Sequence, residues 1–96
     1  MKDLCLLDGR IFNMISAEED RQVKKWGIQN RTPFEWMAYL TEEVGELAKA
    51  ISEHEYRGGF SDDVVREAIQ TATLAAKIAE MYLNQKHPWR SKPCQP

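Results

Sequence analysis

The stretch from Thr32 to about His54 constrains this chain more than any other. Thr32-Pro33-Phe34-Glu35 supplies an N-cap, a proline at the first helical position and a glutamate three residues after the cap. An apolar spacing of helical period then continues to about His54, a rod about 30 Å long at 1.5 Å per residue. At ~100° per residue, Met37, Leu40, Val44, Leu47, Ala48 and Ile51 form one apolar stripe of this helix. Tyr56-Arg57-Gly58-Gly59-Phe60 reads as the turn after it.

A third helix is expected from a cap at Ser61 or Asp62 to about Gln85, with Val64, Ala68, Thr71, Ala75, Ile78 and Tyr82 on its inner face. A first helix should end at Trp26, with Gly27 just past it. Its start has three readings: a helix from about Arg10, which is preferred, a start at the capping box Ser16-Ala17-Glu18-Glu19, or a small hairpin around Asp8-Gly9. No strand-rich region or repeat interrupts this pattern. The expected fold is all-α, a helical bundle with long antiparallel central helices, as one domain over residues 1–88 with a tail over 89–96.

A chain of 96 residues buries a smaller share of its surface than larger proteins do, so self-association is an easy way to complete the bundle. Hydrophobic residues at 43% and charged residues at 29% fit a folded soluble protein. A net charge of −2 gives no global reason to expect nucleic acid or an anionic membrane as a partner. The start, Met1-Lys2-Asp3-Leu4-Cys5, lacks the apolar core of a signal peptide, and no apolar run approaches a bilayer span, so a cytoplasmic location is expected. Cys5 and Cys94 have neither CxxC nor Cys/His spacing, which argues for free thiols and against zinc.

The second helix carries Glu42-Glu43-Val44-Gly45-Glu46, and the third carries Glu67. Like charges three or four apart on a helix repel by roughly 0.2–0.5 kcal/mol per pair, so such a cluster costs stability unless a cation compensates it. Glu43 and Glu46 fall on the edge of the apolar stripe, Glu42 points farther out, and Glu67 lies on the shoulder of the third helix's inner face. A charge at a core margin needs a partner, an arginine or a metal. An antiparallel hairpin would let Glu43 and Glu46 meet Glu67, and oxygen-only ligation suits Mg²⁺ or Mn²⁺. The competing di-iron arrangement requires Glu-x-x-His pairs, which the sequence lacks. Magnesium held by a few carboxylates keeps positions open for water and phosphate oxygens, so phosphate ester or anhydride chemistry is its natural use, with Glu43 the candidate to orient or deprotonate a water.

Arg21-Gln22-x-x-Lys25-Trp26-Gly27-x-Gln29-Asn30, then Trp36, then Glu42-Glu43-x-Gly45-Glu46-Leu47-Ala48-x-Ala50, then Glu67-Ala68-Ile69-Gln70 together resemble the MazG-like all-α nucleoside triphosphate pyrophosphohydrolases. The likeness is greatest to short single-domain members carried by phages and bacteria, and it covers most of residues 18–80. It implies a helical dimer or tetramer that cleaves nucleoside triphosphates to monophosphate and pyrophosphate with Mg²⁺. Carried over, the metal ligands would be Glu43, Glu46, Glu67 and Gln70, where Gln70 departs from the acidic residue that closes the family's ExxD motif. An amide can coordinate through its oxygen, but it brings no charge and cannot act as a base.

Lys25 is a candidate phosphate contact and Trp26 a candidate base-stacking residue, against a solvated lysine and a core tryptophan at a helix end. Gln22 and Asn30 could bond a base or ribose, against amides in contact with water. Gly45 would permit close approach of another helix. The rival to the hydrolase is a non-catalytic helical module, derived from such an enzyme, that binds nucleotide or a partner protein. A nucleic-acid binder using Arg21, Lys24, Lys25 and Arg31 is a third class.

Overall fold

A computed structural model describes residues 9–27 and 30–83. They form three helices, α1 (Gly9–Trp26), α2 (Pro33–Arg57) and α3 (Ser61–Leu83), with no strand among the described residues. No helix among them is long and apolar enough to cross a membrane. The tail over 89–96, both cysteines and the last expected turn of the third helix lie outside the described residues.

Gly9 and Arg10 are already helical, and α1 runs through Ser16 without using it as a cap. Gly27 closes α1 at φ 75, with its N–H donating to the Val23 carbonyl at 2.7 Å. The expected capping box of α2 is present: Thr32 Oγ1 accepts from the Glu35 N–H at 3.1 Å, and Glu35 Oε1 accepts from the Thr32 N–H at 2.8 Å. At its other end α2 outlasts the expected boundary and stops at Arg57, where Gly58 turns left-handed at φ 75. Gly59 donates to the Glu53 carbonyl at 2.9 Å, so closely that a Cβ there would lie 3.1 Å from Glu53 Cβ. This tight reversal folds α3 back along α2.

The helices face each other differently from the sequence expectation. In α2 the side turned to α3 carries Trp36, Leu40, Glu43, Leu47 and Ala50, whereas Met37, Val44 and Ile51 are 52%, 48% and 45% exposed. In α3 the deepest residues are Ile69, Thr73 and Leu74, and Ala75, expected inside, is exposed. The deepest positions of α3 thus lie off the centre of the expected stripe, of which Val64, Ala68, Thr71, Ile78 and Tyr82 remain half-buried. The reason is that α3 packs against both α1 and α2, so its deepest positions lie between two partners. The Thr73 hydroxyl is tolerated at the centre because it donates to the Ile69 carbonyl at 2.8 Å.

Gly45 is also placed differently: a Cβ there would meet nothing within 4 Å, so it does not serve α2–α3 contact. Gly45→Ala should raise stability in urea by up to about 1 kcal/mol, the helix-interior cost of glycine. Gly58→Ala should lower it by about 1 kcal/mol because of the left-handed backbone. A loss with Gly45→Ala would mean that another chain packs closely on this glycine.

Candidate metal centre

The rotation of the two helices puts carboxylates at their seam. Glu43 and Glu46 lie one turn apart on α2, and Glu67 comes from the early turns of α3. One carboxylate oxygen from each lies within 4.8 Å of the others. Glu43 and Glu67 are half-buried, while Glu46 is exposed and Glu42 points to solvent as expected. Gln70, one turn beyond Glu67, joins them. In the orientation that satisfies its amide, Nε2 donates to Glu43 Oε1 at 3.2 Å and to Glu67 Oε1 at 3.3 Å. All four residues carried over as metal ligands are therefore together.

Burial, followed by the charges of Glu46 and Glu67, pushes the Glu43 carboxyl from 4.5 up to about 7. Every charged group acting on it is another carboxylate. Arg66 approaches Glu67 Oε2 at 3.7 Å, but it is also held by Asp63 at 3.0 Å. The arginine alternative thus offsets only part of the local charge. Three carboxylates and an amide, with no nitrogen or sulfur donor among them, form a donor set that fits Mg²⁺ or Mn²⁺.

The cluster lies between two cavities. The first, about 370 Å³, is bounded by the end of α1, the start of α2 and the middle of α3. Trp26, Trp36, Tyr39 and Leu74 give it apolar surfaces, and Glu43 and Gln70 connect it to the cluster. Trp36 and Tyr39 meet edge to face, with centroids 6.2 Å apart, and the Arg31 guanidinium lies 4.9 Å from the Tyr39 ring centre. The second cavity, about 310 Å³, lies toward the α2–α3 turn and is lined by Glu46 and Glu67.

Gln22 and Trp26 line the first cavity, as a substrate-binding role requires, and Trp26 remains 52% exposed. Lys25 is not among its lining residues; its Nζ sits 4.8 Å from the Trp26 ring centre. Asn30 is exposed and does not line it either. Sequence reasoning missed Glu18, whose side chain is 11% exposed and whose carboxylate accepts from Arg21 Nη2 at 2.7 Å and from Gln22 Nε2 at 2.7 Å. Those bonds to Arg21, with burial opposing them, hold the Glu18 carboxyl below its ordinary range. The spacing of Glu18 from Arg21 and Gln22, three and four residues, was the available signal. Arg21 is thereby engaged, which weakens the nucleic-acid reading.

Compared with protein-family models, curated proteins and solved structures, the chain matches none.

With chelator present, the raised Glu43 pKa has a definite consequence. Between the ordinary value of 4.5 and about 7, the folded protein holds a proton that the unfolded chain has lost. Stability is then greater at the acid end and falls as pH rises through 7. The melting temperature in chelator should be higher at about pH 5.5 than at about pH 8. Glu43→Gln should remove most of that difference; an unchanged pH profile would show that Glu43 does not titrate in this way.

Proposed function

We propose that this protein is a Mg²⁺-dependent nucleoside triphosphate pyrophosphohydrolase. The observation that carries the reading is the convergence of Glu43, Glu46 and Glu67 within 4.8 Å, beside a cavity walled by Trp26, Trp36 and Tyr39. Aromatic faces suit a nucleobase, and the carboxylates suit a magnesium-bound phosphate chain. The motif resemblance to MazG-like enzymes points to the same chemistry.

In this reading Glu43, Glu46 and Glu67 would hold the ion, with Gln70 as a further ligand through its amide oxygen. When bound, Mg²⁺ supplies charge stabilisation at the α-phosphate and lowers the pKa of a nearby water. Glu43 accepts the water's proton as the water oxygen bonds to the α-phosphorus. The bond from that phosphorus to the bridging oxygen breaks, and pyrophosphate leaves with the electron pair. The first cavity orients the base, with Gln22 available to bond its edge.

The protein acts as a homodimer or homotetramer. Met37, Val44 and Ile51 are exposed along one side of α2 and Val65 along α3, an extent of apolar surface that a second copy would cover. Light scattering at micromolar concentration should give a multiple of 11.1 kDa, and Val44→Glu with Ile51→Glu should reduce it to the monomer. A monomeric wild-type chain would contradict the oligomer.

A second reading is supported by Gln70. Its amide bridges two carboxylates but brings no charge and cannot act as a base, as a non-catalytic nucleotide- or protein-binding module would allow. The two readings separate in a pyrophosphate-release assay. Glu46→Gln and Glu67→Gln should each abolish magnesium-dependent release with helicity unchanged, and Gln70→Asp should tighten magnesium binding. Unchanged turnover in the first two variants would remove these residues from the mechanism.

A further inference from the structure

The cluster has two open sides, and only one is suited to a base. Glu43 and Gln70 face the aromatic cavity, whereas Glu46 and Glu67 line the cavity toward the α2–α3 turn. The second cavity contains cations, Lys49 from α2 and Arg66 from α3. Each is tied by position to a cluster residue: Lys49 is one helical turn beyond Glu46, and Arg66 precedes Glu67. Both residues are exposed. Arg66 Nη1 is held by Asp63 at 3.0 Å, while Nη2 lies at the longer distance of 3.7 Å from Glu67.

We propose that Lys49 and Arg66 form the site for the departing pyrophosphate, so that the substrate lies along the α2–α3 seam with its base at the α1 end and its β- and γ-phosphates toward the turn. This inference rests on the hydrolase reading and adds the direction of the substrate. With the base in the aromatic cavity and the α-phosphate at the carboxylates, the polyphosphate continues to the opposite side of the cluster. The cations there meet the negative charge that develops on the leaving group as the anhydride bond breaks.

The charge of this cavity sets a condition. Glu46, Glu53, Asp63 and Glu67 oppose Lys49 and Arg66, four carboxylates against two cations. Free pyrophosphate is therefore repelled, and the cavity accepts it only after magnesium has neutralised Glu46 and Glu67. Pyrophosphate binding is then conditional on the metal. Inorganic orthophosphate, with fewer oxygens to share among the metal and both cations, binds more weakly.

Calorimetric titration of the whole protein with inorganic pyrophosphate, in magnesium and in chelator, tests this. The wild type should bind in magnesium and not in chelator, and should prefer pyrophosphate to orthophosphate. Lys49→Ala and Arg66→Ala should each weaken binding by about tenfold, the loss of one hydrogen bond to a charged group. Lys49→Arg should restore most of it, and magnesium affinity without pyrophosphate should not fall in either variant. Wild-type affinity in the double alanine variant, with triphosphate turnover intact in the wild type, would overturn this exit site and leave the hydrolase standing. Absence of magnesium-dependent turnover in the wild type would overturn the hydrolase reading, and this inference with it.

Discussion

Three carboxylates held together against their own repulsion are the constraint on which the α2–α3 seam depends. Two-helix packing ordinarily buries the most apolar stripe of each partner. Here α2 turns Glu43 toward α3 and leaves Met37, Val44 and Ile51 outside. The repulsion is visible in Glu43, whose carboxyl is driven to about 7 by burial and by its acidic neighbours. Gln70 relieves part of it by donating to Glu43 and Glu67. A neutral amide supplies hydrogen bonds but no charge, so the negative charge of the cluster is left for the proposed ion to offset.

Several local devices hold that seam in register. The capping box at Thr32 starts α2, and the Gly58-Gly59 reversal brings α3 back at the level where Glu67 meets Glu43 and Glu46. Aromatic residues cluster at the opposite end, where α1 arrives through Gln22 and Trp26. The molecule thus has a carboxylate centre with an aromatic cavity on one side and, on the other, a cavity that sets Lys49 and Arg66 among four carboxylates. In the proposed function this polarity corresponds to base, α-phosphate and leaving group. The uncovered side of α2 corresponds to the proposed subunit contact.

Much of this was legible in the sequence, for identifiable reasons. Local signals fixed α2: Thr32 and Glu35 satisfy each other's backbone groups, and Gly58 takes the left-handed conformation that few other residues accept. The approach of Glu67 to Glu43 and Glu46 followed from a hairpin with a short turn. The rotation of the helices about their axes was not legible. Periodicity finds the most apolar face, but α3 has two neighbours and its buried side lies between them, at Ile69, Thr73 and Leu74. For the same reason Gly45, read as a point of close approach, faces open space. Glu18 was overlooked because its role depends on the tertiary cavity, and only its spacing to Arg21 and Gln22 was local.

The most direct test of the central claim is hydrolysis of nucleoside triphosphates in ¹⁸O-labelled water with Mg²⁺, followed by mass spectrometry of the products. Attack at the α-phosphorus predicts label in the nucleoside monophosphate, unlabelled pyrophosphate in equal amount, and no reaction in excess chelator. Label in orthophosphate beside a nucleoside diphosphate would contradict the proposed geometry. No turnover by demonstrably folded protein would contradict the hydrolase itself and leave the nucleotide- or partner-binding module.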